Sequence, residues 1–321
     1  MRKVLAYIIY IPLQILFLPL MIIGGVYIFY KQMYVSKRYG VSSTAIEIIN
    51  GRWTMDKFGL RKDPATVKLF DKLPNTTSIG QWMALTPLYI LKKIAGENLI
   101  YPIFKKAPDA GISSLVISRT IYFDQIISRS LKKSEQFVVM GAGFDTRCYG
   151  TLVEDRHQLY ELDKVTTQTM KRTSLQEAGV DTSRVNFVEV DFEVDSWPDK
   201  LTASGYDSTA VTTFLLEGVT LYLSEHDVRT NLEQIKAIAP EGSTIVADFY
   251  SLPFVRGELF PGAKALKITD EEFGYGVDFN SEHQNNLEML IIEAEMKLGE
   301  VHHMGSNTKK GTYMAIAEIL I

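Results

Sequence analysis

The chain has 321 residues, 34 Lys and Arg against 38 Asp and Glu, a formal net charge of −4 and one cysteine, Cys148. With no basic stripe, nucleic acid is excluded as a partner. A single cysteine excludes an internal disulfide framework and a Cys-based zinc site. The length suits one large α/β domain or two small ones.

From Val4 to Tyr30 no side chain is charged. A helix rising about 1.5 Å per residue would reach about 40 Å here, more than the ~30 Å hydrocarbon core of a bilayer. Arg2 and Lys3 flank one end and Lys31, Lys37 and Arg38 the other. Tyr7, Tyr10, Tyr27, Tyr30 and Tyr34 stand where interfacial aromatics would. No small-residue cleavage site follows, so residues 1–35 read as a retained membrane anchor, with contact through residues 4–30, rather than a signal peptide. Pro12 and Pro19 remove backbone donors and can kink the helix. A bent, half-inserted helix therefore stands beside a full transmembrane span. The flanking charges are nearly balanced and do not set the orientation.

A second apolar region, Gln81 to Phe104, is interrupted by Lys92, Lys93 and Glu97 and is too polar to span. It reads as one or two helices packing on the domain core. The alternative is a membrane-facing lid over the substrate site, with Lys92, Lys93, Lys105 and Lys106 at the headgroups.

Beyond a mostly helical stretch to residue 134, apolar runs alternate with helical pattern. Gln136 to Met140 predicts a buried strand ending at Gly141, and His157 to Leu162 a second ending at Asp163. A helix over 164–178 should stop at Gly179. Arg184 to Val190 ends at Asp191 and Ala210 to Leu216 at Glu217. A helix starts at Ser224 and Glu225 and runs to about Ala239, before a strand over Gly242 to Tyr250. Two further strands, Leu298 to Met304 and Thr312 to Leu320, should form a final hairpin adding one antiparallel edge strand. The alternation predicts a doubly wound, mainly parallel α/β sheet. Residues 36–321 form one catalytic domain, a helical cap over 36–134 followed by an α/β core over 135–321.

In such sheets ligands bind beyond the carboxyl ends of the strands. The first end carries Gly141-Ala142-Gly143, where glycines allow a tight turn and close backbone approach. Alone this fits dinucleotide binding, nucleotide binding or a plain turn. Asp163 follows at the distance of an acid that accepts from ribose hydroxyls. The third glycine of the dinucleotide fingerprint is replaced by Thr146 or Arg147, which weighs against NAD. Asp191-Phe192 offers a carboxylate and a ring to an adenine edge, though a turn Asp would look the same. Glu217 at a strand end needs a partner if buried, and a ligand ammonium would serve. Acids at successive strand ends, after a glycine turn, describe a pocket for a ligand with ribose, adenine and a positive centre.

The string Val138 to Arg147 (VVMGAGFDTR) resembles the glycine motif of leucine carboxyl methyltransferase-like proteins. Tyr160 to Asp163 is similar to that family's second acidic motif, and Leu215 to Val219 with Tyr222-Leu223 to its Glu-Gly-x-x-x-Tyr-Leu motif. Arg119 to Asp124 is similar to its Arg-Thr-x-x-x-Asp block, and Ser43-Thr44-Ala45 with Arg52 to its N-terminal block. The resemblance implies a class I, Rossmann-like methyltransferase fold with S-adenosylmethionine as methyl donor. It implies that Arg119 binds the donor carboxylate, that Gly141 and Gly143 lie against the donor, that Asp163 holds the ribose and that Asp191 and Phe192 hold the adenine. Glu217 would contact the amino-acid end and Tyr222 would line the acceptor site. Asp145 and Arg147 would brace the loop by a local ion pair.

The anchor is not part of the basic family pattern, and Gly257 to Asn280 matches no motif and is expected to help form the acceptor site. A carboxylate acceptor needs no general base, whereas a phenol or alcohol would. His157, His226, His283, His302 and His303 fall in no motif and read as surface or packing residues; no metal site is expected. The expected function is O-methylation, carboxyl-directed, of a small-molecule, lipid-like or protein carboxylate acceptor at a membrane. The body should face the cytosol, where the donor is found. The alternatives are an NAD-dependent oxidoreductase and a non-catalytic, membrane-tethered binding protein on a methyltransferase scaffold.

Overall fold

The structure is a computed structural model that describes residues 2–192, 194–259, 266–280 and 286–321. Its centre is a seven-stranded sheet in the order β3-β2-β1-β4-β5-β7-β6. The strands are β1 (Gln136–Met140), β2 (Gln158–Asp163), β3 (Val185–Glu189), β4 (Thr212–Leu216), β5 (Thr244–Tyr250), β6 (Lys297–Met304) and β7 (Met314–Leu320). β1 to β5 pair in parallel, and β1 and β4 are buried along their whole length, as expected of strands covered on both faces. Chain order reverses between β1 and β4, which opens a crevice at their carboxyl ends.

The C-terminal hairpin corrects one expectation. Its antiparallel strand is not at the edge: β7 is inserted between β5 and β6, antiparallel to both. Composition explains this. Ala315, Ile316, Ala317 and Ile319 of β7 are buried, whereas β6 carries the exposed Lys297 and Glu300 that suit an open edge.

Helices α1 (Arg2–Tyr30), α2 (Ser36–Tyr39), α3 (Ser43–Lys57), α4 (Pro64–Phe70), α5 (Ser78–Ala95) and α6 (Leu115–Ser130) precede the sheet. α7 (Val165–Glu177) joins β2 to β3, α8 (Trp197–Ala203) joins β3 to β4, and α9 (Glu225–Ile238) joins β4 to β5. Gly179 takes φ 63° just past α7, and Ser224 with Asp227 closes a capping box on α9. α6 packs Phe123, Ile126 and Ile127 on one face of the sheet. α3 and α4 form a separate core with Trp53, Leu69 and Phe70.

α1 is continuous through Pro12 and Pro19 and, with the turn after it, gives a helix over Arg2–Tyr39 long and apolar enough to cross a membrane. The second apolar region is one helix, α5, closed by Gly96 at φ 85°; the chain to residue 106 is irregular. α5 packs Trp82 and Leu85 on the Trp53 core. Its other side is covered by α1, a pairing that the sequence did not indicate: a Cβ on Gly24 would lie 2.7 Å from the Gly80 carbonyl and 2.8 Å from Met83 Cβ.

Candidate active site

The crevice holds a cavity of about 780 Å³. Gly141, Gly143, Asp163, Asp191, Phe192, Glu217 and Tyr222 line it from the strand ends, and Arg119 lines it from α6. All eight positions singled out in the sequence therefore face one space. α3 adds Thr44, Glu47 and Arg52, and the segment beyond β5 adds Glu271 and Phe273.

The glycine turn is built for close approach. Gly141 has φ 60°, and a Cβ on it would meet Val219 Cγ2 at 2.7 Å. Gly143 donates its N–H to Asp163 Oδ2 at 2.5 Å, and Lys164 N–H donates to Oδ1 at 2.7 Å. Burial raises the Asp163 carboxyl above its usual range even against these two bonds. At the next strand end Asp191 Oδ2 lies 3.3 Å from Lys164 Nζ, and Phe192 packs against the sheet core.

Glu217 sits in a buried ionic network. Arg52 reaches it at 2.8 Å and Asp145 at 2.9 Å; Arg147 bonds the same two acids and Asp124 at 2.8 Å. Arg119 Nη2 lies 3.3 Å from Glu217 Oε1 and its Nε 3.0 Å from Asp248 Oδ2, while Nη1 donates to the Tyr250 hydroxyl at 2.9 Å. The partners that Glu217 was expected to need are thus supplied first by arginines of the protein. The ion pair of Asp145 and Arg147 is likewise more than local, since it ties the glycine loop to α3, α6 and β4. Burial works against ionisation of Glu217, but Arg147, Arg52 and Arg119 outweigh it and hold the carboxyl at about 2. For Asp248 the burial cost exceeds what Arg119 and the Gly218 N–H, 2.9 Å from Oδ1, give back, and the carboxyl is pushed up to about 6. Arg119 Nε, Glu217 Oε1 and Asp248 Oδ2 are buried without a hydrogen-bond partner, in ionic contact but misaligned.

A further wall of the cavity carries Tyr222 and Glu271. The Tyr222 hydroxyl bonds Thr44 Oγ1 and lies 3.4 Å from Glu271 Oε1. Glu271 accepts from Ser42 Oγ at 2.6 Å, Ser43 N–H at 2.9 Å, Thr269 Oγ1 at 2.6 Å, Thr44 Oγ1 at 3.0 Å and Ser43 Oγ. Burial raises Tyr222 well above a normal phenol. For Glu271 the hydrogen bonds overcome burial and lower the carboxyl.

Residues 89–236 match the leucine carboxyl methyltransferase family model. That match covers just under half of the chain, which over this region is similar to the family. A Mycobacterium tuberculosis protein, named provisionally as an S-adenosyl-L-methionine-dependent methyltransferase, is 26% identical over 215 residues, 65% of this chain and 64% of that protein. The match thus spans just under two thirds of that relative's length. A Bacillus subtilis protein with the same provisional name is 29% identical over 150 residues, 46% of this chain and 49% of its own. Among solved structures, a Thermobifida fusca protein named provisionally as a methyltransferase aligns with a TM-score of 0.49 at 14% identity, covering 79% of this chain and 92% of that one.

The region that matches the leucine carboxyl methyltransferase model contains all eight candidate residues. Arg52, Asp248 and Glu271 lie outside it, and they complete the site. Arg52 was noted only as part of a motif. Asp248 stands inside the apolar run TIVADFY of β5, and an acid in the interior of a buried strand was itself a signal. Glu271 had none, being a single acid in a segment without pattern. Cys148 is buried, and burial drives its thiol well up, away from a reactive thiolate. His157 is buried against the Leu131 carbonyl and Glu154 N–H. His226, His302 and His303 do not line the cavity, and His283 lies outside the described residues. Among the described residues no cluster of three or more His, Cys, Asp or Glu could hold a metal.

Proposed function

We propose that the chain is an S-adenosylmethionine-dependent O-methyltransferase acting on a carboxylate of a lipophilic or membrane-associated acceptor. The observation that carries this reading is one cavity at the sheet's switch point that is lined by a glycine cradle, a ribose-type acid and an ionic wall. The residues fit that donor. Asp163, fixed by two backbone N–H groups, presents an acceptor to a diol. Asp191 and Phe192 offer an edge acceptor and a face. Glu217 Oε1 and Arg119 Nε are buried atoms in ionic contact but without a hydrogen bond, of the two signs that a zwitterionic amino-acid group requires. When bound, the donor supplies an electrophilic methyl group on a sulfonium. The protein's share is to align the acceptor and keep water out.

Carboxyl direction is supported by what the cavity lacks. Among its lining residues there is no histidine, Tyr222 is held protonated, and Glu271 is saturated by hydrogen bonds that lower it. Glu47, a lining carboxyl that burial raises, is the candidate base for a neutral acceptor, whereas an acceptor that arrives already anionic needs none. The cavity wall includes Lys37, Gly40 and Val41, which follow directly on the apolar N-terminal helix. That proximity supports an acceptor drawn from a membrane, with the body on the cytosolic side.

The geometry also favours this donor over a nicotinamide dinucleotide. After the glycine turn the chain makes only a 3₁₀ turn, Arg147–Tyr149, before β2, so no helix N-terminus faces a pyrophosphate. Calorimetric titration of the full chain in mild detergent with S-adenosylmethionine, and NAD as control, tests the class. Methyl-labelled donor offered with membrane lipid and fatty-acid fractions tests the acceptor, because carboxyl esters release volatile methanol in alkali. Heat with NAD alone, or an alkali-stable methylated product, would overturn the corresponding half of the proposal.

A further inference from the structure

We infer that α1 lies in the plane of a membrane surface, docked lengthwise on the body, and does not cross the bilayer. The evidence is how α1 meets α5. Ala6, Tyr10, Leu13, Gln14, Phe17, Met21, Gly24 and Ile28 are the residues of α1 that are not exposed. Their spacing of three, four and seven marks one narrow stripe along the whole helix. The stripe lies on α5, which runs antiparallel to it. Near one end Gly24 abuts Gly80 and Met83, and near the other Lys3 Nζ pairs with Glu97 Oε1 at 2.5 Å.

α5 is in turn tied to the body along its length. Trp82 packs on Trp53 with ring centroids 5.4 Å apart, Tyr89 packs on Phe58 at 5.5 Å, and Lys92 Nζ donates to the Phe58 carbonyl. Asn98, just beyond the helix, donates to the same carbonyl at 3.4 Å. Only Ile79 and Lys93 of α5 are exposed. At each level of α1 the catalytic body is therefore about one helix diameter, ~10 Å, behind it. A perpendicular span would draw α5, its lysines and the Trp53 core into hydrocarbon, where unpaired charge and irregular backbone are costly.

The side of α1 turned away from α5 is exposed and apolar, including Ile8, Ile15, Leu16, Ile22, Ile23 and Val26. The occupant of that face is lipid. Over Val4 to Tyr30 it offers no charge with which to specify a protein partner, tyrosines stand near both ends, and Arg2, Lys31, Lys37 and Arg38 flank it with charge complementary to anionic headgroups. α1 thus sets the height of the body, and Lys37, Gly40 and Val41 place the cavity wall at the headgroup level.

The arrangement fixes the sidedness of the N-terminus, which a membrane-impermeant maleimide reads. Arg2→Cys and, on the body, Lys132→Cys are expressed separately in the full chain, with the parent chain, whose Cys148 is buried, as blank. In sealed vesicles with the body facing out, both positions should label fully, with no gain on adding detergent. Labelling of position 2 that appears only after detergent would place the N-terminus across the bilayer and overturn the inference. So would failure of the full chain to float with anionic phospholipid vesicles, with recovery as a soluble dimer, since the apolar face would then be covered by a second copy.

Discussion

The backbone N–H of Gly143 points at the carboxylate of Asp163, 2.5 Å away, and so locks the turn after β1 to the end of β2. The bond uses a glycine at φ 45° and an acid whose carboxyl burial has raised. It makes Asp163 both a brace of the loop and a preset acceptor. Asp163→Ala should therefore weaken S-adenosylmethionine binding by at least about tenfold, since a hydrogen bond to a charged group contributes about 1.5–3 kcal/mol. Asp163→Asn should fall between the two. Calorimetric Kd values decide, and unchanged affinity in Asp163→Ala would remove the residue from the donor site.

Arg147 joins Asp124, Asp145 and Glu217 and is itself fully buried. Arg147→Met keeps the volume roughly but strands those carboxylates in a dry site. Breaking one partner out of a buried ionic cluster costs about 3–5 kcal/mol. Urea unfolding of the variant should show a loss of that size, against less than about 1 kcal/mol for Arg229→Met at the half-buried, solvent-facing ion pair with Glu225 and Glu293.

Stability should depend on pH with two opposite signs. Asp248 moves from 3.8 to about 6 on folding, so the folded chain holds the extra proton and stability falls as pH rises through that window. The slope from one such group is at most about 1.4 kcal/mol per pH unit. Glu217 moves from 4.5 to about 2, so its contribution is complete above 4.5 and lost as pH falls towards 2. Asp248→Asn should flatten the upper window and leave the lower one, as chemical unfolding at stepped pH would show. An unaltered slope between pH 4 and 6 would refute the assignment.

The Tyr222 hydroxyl bridges Thr44 and Glu271 on the acceptor side. Tyr222→Phe removes that bridge and leaves the donor wall untouched. The expected result is a fall of about tenfold in kcat, the equivalent of one hydrogen bond, with the donor Kd unchanged. A matching loss of donor affinity would move Tyr222 out of the acceptor site.

Gly24 and Gly80 allow α1 and α5 to touch. Gly24→Val forces the helices apart and should lower Tm of the detergent-solubilised chain by several degrees, whereas Gly25→Val, which faces open space, should not. Equal effects at both positions would mean that α1 is not seated on α5.

The alternating sheet was legible because buried parallel strands leave continuous apolar runs, as in QFVVM and TTFLL, with an acid or glycine marking the carboxyl ends of β1 to β4. The eight cavity residues were legible for the same reason: the topology gathers strand ends to one place, so residues distant in sequence become neighbours once the sheet is assumed. The insertion of β7 was open to reading from composition, since MAIAEIL is nearly all apolar and KLGEVHHM carries Lys297 and Glu300, but strand pairing depends on contacts across the sheet that chain order does not state. Nor was Glu271 legible, since its role comes from hydroxyls at the N-terminus of α3 more than two hundred residues earlier.

The sequence by itself determined local states and their periodicity: a charge-free helix, alternating strands, a glycine turn and acids at strand ends. These depend on neighbours in the chain, where hydrophobic spacing and backbone freedom act directly. The tertiary structure alone decided which charges meet and which faces are covered: three arginines on Glu217, Asp248 beneath Arg119, and α1 laid along α5. Burial and Coulomb energies depend on distance in space, and distance in sequence does not fix it.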